Sequence, residues 1–179
     1  IDIIQQVPVL QGVGLLNDPN FDIISTPSSA HQQVHMRVDM DPFKDKRVRQ
    51  AFFQAIDIET IKARVMRNAA TPTGLMIAPG IKGFVPDMNK RLPHDADAAK
   101  KLLADAGYPN GFEVGMNCPN DRYVNDGEIC QAVAANLARI GVKVNLQAES
   151  KATYFPKILP RDTSFYLLGW TPGTYDAHN

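Results

Sequence analysis

Between residues 112 and 170 the apolar patterning of the chain changes period four times, and this alternation limits the fold more than any other feature. Residues 112–117 read as a strand, and residues 128–140 as a helix carrying Ile129, Val133, Leu137 and Ile140 on one face. Gly141 ends that helix, and Val142, Val144 and Leu146 then alternate as a second strand. A short helix over 151–159 leads to FYLLGW, residues 165–170, a continuous apolar strand. Strand, helix, strand, helix, strand implies right-handed crossovers and a mainly parallel sheet flanked by helices, an α/β fold. In open parallel sheets ligands gather beyond the carboxyl ends of the strands. Two segments follow such ends, CPNDRY at 118–123 and WTPGTYD at 170–176, and both are expected on one edge of the sheet.

The first half is less regular. Residues 1–6 and 21–26 read as strands around a short helical segment at 8–16, and Val34, Met36 and Val38 alternate with His35, Arg37 and Asp39 as a half-buried strand. In DPFKDKRVRQAFFQAIDIETIKARVM, Val48, Ala51, Phe52, Ala55 and Ile56 share a helical stripe, with Phe53 beside them as core. Asp45 is the expected N-cap, and Asp57 restarts a second helix carrying Ile58, Ile61 and Val65. Residues 70–93 lose all periodicity among prolines and glycines, yet Leu75, Met76, Ile77, Phe84 and Val85 make this loop too apolar for a free linker, so it is expected to pack. Asp95 caps a further helix with Ala96, Ala99, Leu102, Leu103 and Ala106 inward, and Gly107 and Pro109 stop it.

Composition narrows the function classes. The chain of 179 residues is one domain's worth of sequence, 44% apolar and 21% charged, as in soluble globular proteins. Nineteen basic residues balance nineteen acidic ones, so no net field draws it onto nucleic acid or an anionic membrane surface. No apolar run reaches bilayer length, and IDIIQQVPVL lacks the features of an export signal. With Ile1 in place of an initiator Met and an abrupt end at GWTPGTYDAHN, the expectation is a segment of a longer mature protein. Cys118 and Cys130 form no zinc-ligand pattern; buried thiols and a disulfide both remain open on composition.

High-information catalytic signatures are absent: there is no GxSxG, P-loop, GxGxxG or HExxH. His31 and His35 lack a third ligand, so a solvated pair on a sheet edge is expected and no metal site or cofactor is assigned. His94 reads as part of a helix entry. Arg122 stands after a strand and before a helix N-terminus, a place that suits an anion, and its fork matches a carboxylate. The competing reading is a surface Arg paired with Asp121 or Asp126. Trp170 is either a core aromatic or, at a strand end before Thr171, an open stacking surface.

Several longer stretches resemble the bacterial extracellular solute-binding proteins that serve peptide, nickel and related ABC importers. They are DPFKDKRVRQAFFQAIDIETI, DADAAKKLLADAGYPNGFEV, ICQAVAANLARIGVKVNLQ and FYLLGWTP, in the family's order and spacing. The resemblance implies one lobe of a type II, clam-shell periplasmic binding fold, with residues 1–40 as hinge-proximal strands and 41–179 as the carboxyl-side ligand-binding lobe, truncated at the return crossover. It also implies export to the periplasm, a Cys118–Cys130 disulfide, a peptide or related small solute, a membrane permease as partner and a monomeric state. Peptide-binding members place an Arg near the position of Arg122 for the peptide carboxylate, which makes Arg122, Tyr123, Trp170 and Thr171 the candidate ligand-binding residues. Those members also carry an Asp three positions after the Trp, where this chain has Gly173; Asp176 is the candidate replacement. That departure keeps nickel chelates, oligosaccharides, haem and opine-like compounds open as solutes. The rivals are a small α/β enzyme using Asp121 and Asp176 as acid and base, and a purely structural lobe.

Overall fold

The computed structural model describes residues 9–24 and 28–178. Its elements run α1 (Val9–Leu15), β1 (His31–Met36), α2 (Lys46–Ala55), α3 (Ile58–Thr60), α4 (Ala96–Asp105), β2 (Phe112–Pro119), α5 (Asp126–Ala138), β3 (Val142–Glu149), α6 (Lys151–Ile158) and β4 (Phe165–Trp170). A π-helical turn, Ile61–Val65, extends α3. One sheet of four strands has the order β1-β4-β2-β3. Strand β2 is parallel to both β3 and β4, as the sequence predicts, whereas β1 joins the edge antiparallel to β4.

The path from β2 to β3 moves one way across the sheet and the path from β3 to β4 moves back. Right-handed crossovers therefore put α5 and α6 on opposite faces. On the α5 face, Val133 and Leu137 pack with Val114 and Met116 of β2, and Phe43, Phe52 and Phe165 meet with ring centres 5.2–5.6 Å apart. Tyr154 and Ile158 of α6 are buried outside that cluster, and the Tyr154 hydroxyl donates to the Leu167 carbonyl.

Asp45, Asp57 and Asp95 all act as N-caps, accepting from the Arg47, Thr60 and Ala98 amides at 2.8, 2.9 and 2.8 Å. Other expectations need correction. Residues 21–24 form no strand: Phe21, Ile23 and Ile24 are exposed, and an apolar run without a pairing partner gains nothing from extended backbone. The strand expected at 1–6 lies outside the described residues. β1 ends at Met36, leaving Val38 exposed. Phe53 is only half-buried, because it lies about 100° from Phe52 on the helix and is covered by the Arg91 guanidinium, 4.1 Å from its ring centre. Helix α5 begins at Asp126, two residues before the expected start.

Cys118 at the end of β2 is joined to Cys130 of α5 by a disulfide. The two cysteines are 12 residues apart, and closing such a loop stabilises the fold by about 3 kcal/mol in the chain-entropy model. Reduction is therefore expected to lower the urea midpoint by that equivalent. Two reactive thiols in unreduced protein would remove the bridge.

Candidate functional site

The carboxyl ends of β2, β3 and β4 lie along one edge, and the segments following β2 and β4 meet there. The Tyr123 ring packs against Gly169, where a Cβ would come within 2.6 Å of it, and the Tyr123 hydroxyl donates to the Gly169 carbonyl at 3.3 Å. Loop 120–125 is held from several sides. The Gln32 side-chain amide donates to the Val124 carbonyl at 2.9 Å, and the Asn125 amide donates to the Val65 carbonyl at 2.8 Å.

Asp126 is the organiser of this loop. Its carboxylate is buried, 3% exposed, and accepts the Arg122 and Tyr123 amides at 2.9 and 2.8 Å and its neighbour Gly127's at 2.9 Å. The anion that the sequence suggested for this helix N-terminus is thus supplied in part by the chain itself. Asp121 is also engaged, accepting the Lys151 amide at 2.6 Å and capping α6 from thirty residues away. Neither carboxylate pairs with the Arg122 guanidinium. That group is exposed, lies 5.1 Å from the Tyr123 ring centre, and has no ion-pair partner among the described residues.

Trp170 is half-exposed and ends β4, with Thr171 exposed after it. Because antiparallel partners share a face, the register His31↔Trp170, Gln33↔Leu168 and His35↔Tyr166 puts these six residues on the sheet face away from Phe165 and Leu167. The histidine pair is not a solvated edge. It is half-buried in a groove of about 340 Å³, lined by residues of β1 and β4 together with Met76, Ile77 and Ile81 and with Pro172 and Ala177. The 81–83 and 175–177 segments are joined to each other. Four residues along a strand span about 13 Å, too far for both imidazoles to chelate one ion comfortably. His35 stacks on Tyr166 at 5.0 Å, and burial, then the neighbouring His31, hold its pKa below the usual imidazole value.

Asp176 makes no contact with Arg122 among the described residues. It forms a clasp with the long apolar loop. The Lys82 ammonium lies 3.4 Å from Asp176 Oδ2, the Lys82 amide donates to the Tyr175 carbonyl at 2.9 Å, and the Ala177 amide donates to the Lys82 carbonyl at 2.9 Å. The loop thus packs in part, as its composition predicts: Ile81 is buried and Leu75, Ile77 and Phe84 are half-buried, whereas Met76 and Val85 stay exposed. Sequence reasoning brought Arg122, Tyr123, Trp170 and Thr171 to one edge correctly, but missed Gln32, Asp126 and the roof contributed by residues 76–81. The only signal for Asp126 was a carboxylate within four residues of Arg122, which read equally well as an ion-pair partner.

Comparison with known proteins places this geometry. The family described as bacterial extracellular solute-binding proteins, family 5 Middle, matches residues 1–179. The chain is similar to the glutathione-binding protein GsiB of Shigella flexneri serotype 5b, at 28% identity over 176 residues, covering 96% of this chain and 34% of that protein. It is also similar to the heme-binding protein A of Haemophilus influenzae, at 27% identity over 170 residues, covering 90% of this chain and 30% of the relative. Among solved structures, the periplasmic binding protein DppA from Helicobacter pylori in complex with the peptide STSA superposes with a TM-score of 0.86, at 23% identity, over 95% of this chain and 33% of that one. AgaA from A. tumefaciens R10, in complex with agropinic acid, gives 0.80 at 27% identity, over 95% and 34% of the two chains. The chain spans about a third of the length of the curated relatives it matches. With the family match running over every residue and the sheet arranged as in periplasmic binding proteins, the chain belongs to the bacterial extracellular solute-binding proteins, family 5.

Proposed function

We propose that this chain is the carboxyl-side lobe of an exported, two-lobed receptor that captures a small solute for an ABC importer, without chemistry. The observation that carries the reading is an exposed Arg122 guanidinium with no ion-pair partner among the described residues, at the same carboxyl-end edge of the parallel strands as the half-exposed Trp170. Arg122 meets an anionic group of the solute, Tyr123 holds the Arg122 side chain and the end of β4, and Trp170 with Thr171 walls the solute. Closure of a second lobe over this edge supplies the remaining contacts and presents the loaded receptor to a membrane permease. Residues 1–40 run as the hinge-proximal segment, with β1 on the edge of the lobe's sheet, and 41–179 form the lobe; the receptor acts as a monomer in the periplasm. The Cys118–Cys130 disulfide supports an oxidising compartment.

The similar proteins are named for glutathione, heme, a peptide and agropinic acid, so the family resemblance leaves the solute class wide. Two features favour a solute other than a free-amine peptide. Gly173 stands where peptide-binding members carry their Asp, and Asp176 is held by Lys82. The engagement of Asp121 with the Lys151 amide and of Asp176 with Lys82 also weighs against an acid and base pair.

In the two-lobed receptor, Arg122→Ala and Trp170→Ala are each expected to weaken capture of the co-purifying solute by about ten- to hundredfold, read by calorimetry. Mass spectrometry of that solute before and after incubation tests the absence of turnover. Unchanged affinity in both variants, or a changed mass, sinks the reading.

A further inference from the structure

The groove on the β1 side of Trp170 has a chemical character of its own. It is lined by the apolar side chains of Met76, Ile77 and Ile81 from the long loop, and on the sheet face by Leu168 together with His31, Gln33 and His35. No carboxylate lines it among the described residues; Asp176 already holds Lys82. Neither imidazole makes a hydrogen bond to a described residue, and His31 Nδ1 and His35 Nε2 are sealed from solvent without a partner. Unpartnered polar atoms in a mostly apolar wall are costly in the empty protein. A ligand bringing one uncharged hydrogen-bonding group beside an apolar body offsets that cost after a small rotation of either ring.

We propose that this groove is a side-group pocket of the solute site, which admits a neutral, mainly apolar group of aryl size and turns away ammonium and guanidinium groups. The inference deepens the receptor reading and rests on it only in taking the groove as facing the solute. Size supports it: about 150 Å³ of dry cavity holds a benzene ring, and the groove offers about 340 Å³. Charge supports it too, since a cation entering here sheds its water without a carboxylate to replace it. Trp170 links the groove to the solute edge, because its side chain lines the groove and its backbone ends β4, the strand at whose end the proposed solute sits.

The chain contains one tryptophan, so its emission reads the pocket directly. Two probes differ only at the polar end: 3-phenylpropionamide is neutral and 2-phenylethylamine is cationic. Titrated against the full chain, the amide is expected to give a saturable change in Trp170 emission, with the amine about tenfold weaker. Gln33→Glu places a carboxylate in the groove and is expected to invert the order; His31→Glu serves the same purpose if Gln33→Glu does not fold. An amine as strong as the amide in the unaltered chain, no saturable change with either probe, or an unchanged order in a folded Glu variant overturns the proposal. The fragments are read without the whole solute, so this outcome is independent of the Arg122→Ala capture measurement, and either can fail alone.

Discussion

Asp126→Ala is expected to lower unfolding free energy by about 2–4 kcal/mol and, in the two-lobed receptor, to weaken solute capture although Asp126 itself touches no solute. The stability loss follows from what one buried carboxylate satisfies. Three backbone amides, those of Arg122, Tyr123 and Gly127, point at it within 2.8–2.9 Å. Truncation leaves two of them, in a loop already folded over the end of α5, without an acceptor, and removes the negative charge from the positive end of that helix. The capture loss follows from geometry. Arg122 and Tyr123 owe their backbone positions to the carboxylate, and the Tyr123 ring owes its place against Gly169 to that backbone. Asp126→Asn retains the shape but turns an NH2 group toward donors, so its loss should fall between those of Ala and the unaltered protein. Urea denaturation of the three proteins checks the order. An Ala variant within about 0.5 kcal/mol of the parent would show that water or the loop itself satisfies those amides.

The contrast between Asp126 and the helix caps explains which parts of this protein are readable from its sequence. Asp45, Asp57 and Asp95 cap helices through amides two or three residues away, so their role lies in local spacing. The three parallel strands were equally legible, because buried strands advertise themselves as apolar runs between helical periods. Long-range partners were not. Asp121 caps α6 across thirty residues, and the antiparallel seat of β1 on β4 joins positions more than a hundred residues apart. The edge where Arg122, Tyr123, Trp170 and Thr171 converge followed from topology alone. The groove did not, since its roof comes from residues 76–81, a stretch with composition but no period. Asp176 is a further case: its ion pair with Lys82 joins positions more than ninety residues apart, which no local spacing announces.

Gly111→Ala is expected to cost about 3–5 kcal/mol while leaving the candidate site's geometry intact, because it acts at the opposite end of the sheet. Gly111 turns the chain from α4 into β2 with φ +73°, and an added Cβ would lie 1.9 Å from the carbonyl oxygen of Gly141, the residue that turns α5 into β3. Two turns therefore touch through backbone atoms at the amino-terminal edge of the parallel pair, where Phe112 and Val142 are in register. Relief requires the strands to part or one turn to unwind, and both strands are anchored in the core by Val114 and Val142. Gly107→Ala separates the two contributions: that residue also has a positive φ, +96°, but an added Cβ meets nothing within 4 Å. Its cost should be the left-handed strain alone, about 1–2 kcal/mol. Thermal unfolding of both variants gives the difference. Equal losses would mean that the close approach of the two turns yields freely, and that the parallel pair is not held at its amino-terminal edge by backbone contact. A larger loss at Gly111 with unchanged Trp170 emission separates the end of the sheet that holds the fold from the end that holds the site.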